Sequence, residues 1–467
     1  MDHIKIPQTF DLFSSKLVSI PSTPTAKKDF FRPINYLGSK LRMLNFIGEV
    51  IDGLAAPESI ICDLFAGSGS VSRYMSSSRT VISSDIQEYS RAICSALLNP
   101  QSDIDIDAFV DDCLRSETYN VLLSICAEIC EYERECIDLA LNGLPSSLCE
   151  FLEEGSLIKS RDEGYRNCST KLERALKNTN LGIRKLGYDK NSKAIATLYF
   201  GGIYFSFAQT IAIDAILNEI QQRPSEEKDT LLAALLGTAS NVVNTIGKQF
   251  AQPIQPRSAN GLPKKGIGAR AEKDRSINVF SDFKEMLRKY TALEKSNFPH
   301  LSMRMDFSDA LDALPQGVSV VYADPPYTRD HYSRFYHVLE TLCLRDSPEI
   351  SKTKLHGNIQ LSRGLYRENR HQSPFCIRSL APSAFSILFE KVSNLGASLV
   401  LSYSPFINKE GEHPRVMTIS DLTELAKIHF KHVSTVCPGE FKHNKLNSRE
   451  NSFEEKTHGE ILMVCKN

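Results

Sequence analysis

The sequence predicts an α/β fold of the Rossmann-like kind: a mostly parallel sheet flanked by helices, interrupted by an inserted region of helices and loops. Three observations predict it. A buried apolar run, Ser59-Ile60-Ile61-Cys62-Asp63-Leu64-Phe65, passes directly into Ala66-Gly67-Ser68-Gly69-Ser70 and then a helical pattern from Val71. A second run, Thr80-Val81-Ile82-Ser83-Ser84, ends in Asp85. A third, Val318-Ser319-Val320-Val321-Tyr322-Ala323, lies far downstream and ends in Asp324-Pro325-Pro326-Tyr327. Short apolar runs bounded by turn residues read as buried strands, and strand, Gly-x-Gly turn and helix in succession form the unit of a doubly wound sheet.

The first run builds a place where a ligand can approach the backbone. Gly67 and Gly69 tolerate unusual φ and leave room beside the chain. The position three after Gly69 is Ser72, so the full Gly-x-Gly-x-x-Gly cradle for a pyrophosphate is not present. Asp85, 16 residues after Gly69, stands where an acid can bind two ribose hydroxyls. These features together point to a nucleoside-type cofactor. Upstream, Asn35-Tyr36-Leu37-Gly38-Ser39-Lys40 precedes a helix expected from about Leu41. Free N–H groups at such a helix start favour an anionic group, with Lys40 to reinforce them.

The third run carries the chemistry. An amino group on a flat aromatic ring is a poor nucleophile, because its lone pair is delocalised. The Asp324 carboxylate and the Pro325 carbonyl can accept its two N–H bonds and draw the nitrogen towards a tetrahedral shape. The prolines fix the turn and bring no N–H to compete for those acceptors. Tyr327 offers a ring face for an extruded base. Downstream, Thr328–His337 contains Arg329, Arg334 and four aromatic or histidine side chains between Tyr332 and His337, suited to close over a base and grip its phosphates. Leu399–Ser404 reads as another strand, and Glu460–Val464 as a final edge or hairpin strand.

Composition bounds the rest. At 467 residues, with 42% hydrophobic and 24% charged residues, the chain is an ordinary globular protein of two or three domains. A net charge of −1 excludes a surface that is basic throughout, so nucleic-acid contact must be local. No apolar run approaches the roughly 18 residues of a membrane span. Without an export signal, the twelve cysteines read as reduced thiols in a cytoplasm. Cys126, Cys130 and Cys136 lie close on one helix but lack a second ligand pair for a metal, so no metal is expected.

Charge is uneven along the chain. Residues 101–160 hold 14 Asp and Glu against three Lys and Arg, on a helical leucine and isoleucine pattern, and read as a solvated or partner-facing block that phosphates would repel. Residues 248–275 hold seven Lys and Arg against two acids among prolines and glycines, and read as a long basic loop. Its Lys248, Arg257, Lys264, Lys265 and Arg270 are candidate DNA-binding residues. The aromatic stretch Tyr199–Phe207 reads as either a core helix or part of target recognition.

Taken together, Tyr36-Leu37-Gly38-Ser39-Lys40, Asp63-Leu64-Phe65-Ala66-Gly67-Ser68-Gly69, Asp85, Met305-Asp306-Phe307 and Asp324-Pro325-Pro326-Tyr327 resemble, in content and order, the alpha-class adenine-N6 DNA methyltransferases that include Dam-type enzymes. The recognisable blocks cover about 31–98, 200–260 and 300–345, with a weaker tail in 380–465. The resemblance implies a Rossmann-like S-adenosyl-L-methionine-dependent methyltransferase domain. It implies an N-terminal arm at 1–30, a cofactor-binding part at 31–100, an inserted helical target-recognition region at 101–298 and a catalytic part at 299–467. It also implies roles: Tyr36 and Lys40 near the methionine part, Asp63, Phe65, Gly67 and Gly69 lining the cofactor pocket, Asp85 on the ribose, Asp306 and Phe307 beside the cofactor adenine, and Asp324 to Tyr327 on the flipped target adenine. Duplex DNA is the implied partner, with room for a separate restriction endonuclease and none for a membrane. The acidic helical block has no counterpart in a minimal Dam-type enzyme, so no recognition sequence carries over. Methylation of RNA adenine, and a silent DNA-binding relative, remain as alternatives.

Overall fold

The computed structural model describes residues 19–20, 31–328, 332–355, 357–404, 415–438 and 460–467. The strands are β1 (Ser19–Ile20), β2 (Ile60–Asp63), β3 (Val81–Asp85), β4 (Leu301–Arg304), β5 (Val318–Ala323), β6 (Lys352–Leu355), β7 (Asn358–Leu361), β8 (Ser398–Tyr403), β9 (His432–Pro438) and β10 (Ile461–Lys466). Eight of them form one sheet in the order β1-β9-β10-β8-β5-β2-β3-β4, while β6 and β7 form a separate hairpin. Every neighbouring pair in the sheet is parallel except the two that involve β10. The α/β, Rossmann-like expectation therefore holds.

The central strands β2, β5, β8 and β10 are largely apolar because both faces of the sheet are covered there. Val321 of β5, Leu399 and Leu401 of β8 and Met463 of β10 pack with Phe385, Leu388 and Phe389 of the helix Ala381–Asn394. The alternate residues Val320, Val400 and Leu462 pack on the opposite face with Phe46, Ile47 and Ile51 of the helix Leu44–Asp52. The period-2 alternation of side chains divides each strand between the two layers.

Of the two readings, edge or hairpin strand, β10 answers to the second: it pairs antiparallel with β9, the strand before it in the chain, and is not at an edge. It lies between β8 and β9, pairing Ile461 with Tyr403 and Leu462 with Val436. Its five buried residues from Ile461 to Cys465 answer to that interior position. Within the 1–30 arm, the described residues Ser19–Ile20 pair parallel with β9; the rest lies outside the described residues.

The insert between β3 and β4 is helical, from Ile106–Arg115 to Val279–Thr291. Most acids of 101–160 are exposed along its outer helices, while Cys126 and Cys136 are buried and Cys130 is half-buried in its core. That core is continuous with the sheet's own helical layer: Tyr89, Ile93 and Leu97 of the helix Glu88–Leu98, and Tyr336 and Leu339 of the helix Tyr332–Leu344, belong to it. The aromatic stretch is core rather than an outward-facing reader, with Tyr204, Phe205 and Phe207 fully buried. The Tyr204 hydroxyl donates to the carbonyls of Phe250 (2.7 Å) or Gly364 (2.9 Å). No described helix is long and apolar enough to cross a membrane.

Candidate active site

The chain order of the sheet reverses at β2. It winds outward through β3 and β4, then returns to place β5 on the other side of β2. Loops leaving neighbouring strands in opposite directions open a crevice at their carboxyl ends. Asp63 ends β2 and Asp324 follows β5, so both motifs meet in that crevice.

On the β2 side, Gly67 (φ 53°) and Gly69 (φ 70°) adopt the left-handed backbone that glycine permits. A Cβ on Gly67 would stand 2.7 Å from the Tyr36 hydroxyl. Tyr36 is held there by its stack on Tyr336, with ring centroids 4.9 Å apart and planes 15° from parallel. Gly69 has a different task from the one expected. A Cβ there would meet Leu97 Cδ1 at 2.8 Å, so it allows helix packing and does not line the cavity.

Asp63 Oδ2 accepts from the backbone N–H of Ser72 (3.0 Å) and from its hydroxyl (2.6 Å), tying β2 to the helix Ser70–Met75. Burial pushes this carboxyl up to about 7, against the pull of the Ser72 bonds. Asp85 accepts from Gly67 N–H (3.0 Å) and Gln87 N–H (2.9 Å). Burial raises its pKa, and those two N–H groups oppose the rise.

On the β5 side, Asp324 stands on the cavity wall with its side chain 21% exposed. Lys40 was expected to approach a cofactor anion. Its Nζ instead lies 2.6 Å from Asp324 Oδ2 and 2.6 Å from Glu460 Oε1. Burial alone would lower the Lys40 ammonium, but the two carboxylates raise it well above the ordinary lysine range. Asp324 is pushed up to about 6, by burial first and by Glu460, while Lys40 pulls it down. The Tyr327 hydroxyl donates to the same Glu460 oxygen (3.1 Å). The Tyr327 ring lies 5.0 Å from that of Tyr403 and has the Arg415 guanidinium 5.0 Å from its centre.

One cavity joins the two sides. It encloses about 1230 Å³ including its solvent-filled mouth, and is walled by Tyr36, Lys40, Asp63, Phe65, Gly67, Asp85, Asp306, Phe307 and Asp324-Pro325-Pro326-Tyr327. Asp306 caps the helix Phe307–Ala313 by accepting from Ser308 N–H (3.0 Å), which fixes Phe307 at the wall. Phe307, Phe65 and Phe375 form an aromatic cluster with centroids 4.9–6.1 Å apart.

Phe375 and the neighbouring wall residue His371 escaped the sequence reading, as did Glu460 and Arg415. Residues 370–376 have no periodicity and no motif. Glu460 meets Lys40 across 420 positions, a separation at which one sequence carries no signal.

The basic candidates do not gather at the cavity. Residues 248–275 are not one loop, because Ile267–Arg275 is a helix. Its burial explains why: Ile267 and Ala271 pack into the insert core, and Gly268 fits against Ala140. Lys248 is paired with Asp274 (2.8 Å), Arg257 with Glu153 (3.1 Å), and Arg270 donates to the Thr245 carbonyl (3.3 Å). Lys264 and Lys265 are exposed. Arg334 is half-buried, its guanidinium 5.8 Å from the centre of the Tyr366 ring. Arg329 lies outside the described residues.

A family model for D12 class N6 adenine-specific DNA methyltransferases matches residues 36–121 and 273–380. These segments contain β2, β3, β4 and β5 with every predicted cavity residue, and they leave out most of the helical insert. Modification methylase LlaI of Lactococcus lactis subsp. lactis is 23% identical over 447 residues, covering 93% of this chain and 55% of that protein. The chain thus spans about half the length of that relative. Through the two matched segments and the motifs they place around one cavity, the chain is similar to the D12 class of N6 adenine-specific DNA methyltransferases.

Proposed function

We propose that this chain transfers a methyl group from S-adenosyl-L-methionine to N6 of an adenine flipped out of duplex DNA, at a specific site, as the modification activity of a restriction-modification or related system. The observation that carries this reading is the single cavity with Gly67 and Asp85 at one end and Asp324-Pro325-Pro326-Tyr327 at the other. The modification methylase named among its relatives supports the biological setting, in which a separate endonuclease would be the partner.

The residues present fit an adenosyl cofactor. Asp85 offers acceptors for ribose hydroxyls, and Phe65 and Phe307 offer apolar faces for a base. Gly67 keeps the backbone bare, and the cavity's anionic end suits a cation. When bound, the cofactor supplies an electrophilic methyl group on a sulfonium. The chain's own part is to hold and activate the amine. Asp324 and the Pro325 carbonyl accept its two N–H bonds and turn the lone pair out of the ring's conjugation. Tyr327 supports the base, and Asp324 can take the proton that N6 sheds. Positioning and fixed acceptors in a water-poor site supply the acceleration. Lys264, Lys265, Arg329 and Arg334 are the residues we assign to DNA phosphates, while Lys248, Arg257 and Arg270 brace the 249–266 loop and its two ends.

Transfer of tritiated methyl groups to duplex DNA tests this reading, with RNA of matched sequence in parallel. Wild-type protein should label the DNA at N6 of adenine, and Asp324→Ala should abolish labelling while cofactor binding survives. Labelling of RNA alone, or an active Asp324→Ala protein, sinks the proposal.

A further inference from the structure

Lys40 serves two carboxylates at once, and the second of them belongs to no motif. Glu460 immediately precedes β10, the one strand of the sheet that runs against the others. The parallel strands present their carboxyl ends at the crevice, so an antiparallel strand presents its beginning there. The pairing of Ile461 with Tyr403, the last residue of β8, sets Glu460 at that edge. Its side chain is nearly buried, and one oxygen, Oε1, receives both the Lys40 ammonium (2.6 Å) and the Tyr327 hydroxyl (3.1 Å).

The arrangement matters for what Asp324 has to do. A carboxylate whose charge is neutralised by its own lysine is a weak acceptor for an amine N–H. An ammonium has three donors and no acceptor, so it can be shared between two anions. With Lys40 shared, the group of Asp324, Lys40 and Glu460 carries one net negative charge. That leaves Asp324 anionic enough to hold the amine while Lys40 still fixes its orientation. The same net charge favours a cationic methyl donor beside it. Glu460 also fixes the Tyr327 ring through its hydroxyl, so acceptor and ring are set by one residue.

We infer that Glu460 is a positioning residue for methyl transfer: it draws the Lys40 ammonium away from full pairing with Asp324 and anchors Tyr327, so that the ionised Asp324 is a stronger acceptor for the target amine. This rests on the methyl-transfer reading above. Glu460 acts through Lys40 and Tyr327 and does not itself touch the amine.

Steady-state kinetics of methyl transfer to duplex DNA separate this role from a merely structural one. Glu460→Gln should lower kcat by about 10–100-fold, the range of a lost pairing of roughly 1.4–2.7 kcal/mol. KM for DNA and for cofactor should stay within about threefold, and Glu460→Asp should recover part of the rate. In a Lys40→Met background the Glu460→Gln change should cost no more than about twofold further, because nothing is left to draw away. A kcat within twofold of wild type in Glu460→Gln overturns the inference. So does a loss spread equally over KM and thermal stability in both Glu460 variants, or full additivity with Lys40→Met. Wild-type protein that fails to label any DNA adenine overturns the methyl-transfer reading and this inference with it. An active wild type matched by Glu460→Gln overturns this inference alone.

Discussion

Asp324 combines two demands that pull in opposite directions. It has to be ionised to accept an amine N–H, yet it stands where burial and Glu460 raise it to about 6 against the attraction of Lys40. Protonation would convert an acceptor into a donor and leave the amine without its partner. The rate with subsaturating DNA should therefore be flat above about pH 7 and fall close to tenfold per unit below pH 6, with Asp324→Asn inactive throughout. The sign for stability is the reverse. A carboxyl that binds its proton more tightly folded than unfolded disfavours the fold once ionised, so lowering the pH through 6 relieves this group's cost even as catalysis stops. A pH–rate profile measured beside thermal melts at the same pH values checks both. A profile that keeps full rate down to pH 5 would remove Asp324 from the role of acceptor.

Legibility changes from residue to element. The strands β2, β3 and β5 were readable because covered parallel strands carry short apolar runs and lead into residues with special chemistry. Asp63 and Asp85 end their strands, and Asp324 follows β5 directly. The helix Ile267–Arg275 was not readable, since only Ile267 and Ala271 mark its apolar face and glycines and prolines surround it. Tertiary packing makes that segment helical, where propensity would not. The interior place of β10 was hidden for a related reason: strand order depends on pairing across the chain, and nothing local to Ile461–Lys466 states it. The same gap hid Glu460, whereas Gly67 and Tyr36 could be named because each carries a motif.

The loop 249–266, which links the short 3₁₀ turn Ile246–Lys248 to that helix, presents Lys264 and Lys265 to solvent. If these two contact phosphates, Lys264→Ala/Lys265→Ala should weaken DNA binding on all sequences alike. The slope of log K against log salt should shrink by about 2, the loss expected for two released counterions. Fluorescence anisotropy over a salt series reads that slope, and an unchanged slope would place the DNA elsewhere.

At the scale of the whole molecule, the insert is joined to the sheet by one continuous core and secured by a buried ion pair at its centre. Arg275 and Glu133 lie 2.5 Å apart with side chains only 1% and 4% exposed. Every guanidinium donor has an acceptor: Glu133, the carbonyls of Gly202, Ile203 and Phe205, and Asn244 Oδ1. Glu133 Oε2 in turn accepts the N–H of Phe207, which starts the helix Phe207–Gln222. One arginine thus ties the helices Ala127–Leu141 and Ile267–Arg275 to the turn between the aromatic helices. Removing it leaves a carboxylate, an amide oxygen and three carbonyls buried without their donor. Arg275→Ala should cost about 3–5 kcal/mol in chemical denaturation, since an uncompensated buried charge is more expensive than the intact pair is favourable. Arg275→Met with Glu133→Gln should recover the part due to the bare charge and keep the part due to the carbonyls. A loss below about 1 kcal/mol for Arg275→Ala would mean that the insert does not depend on this pair. Because neither residue lines the cavity, methyl transfer by the surviving folded fraction at low temperature should match wild type, which separates this architectural role from the chemistry of Asp324.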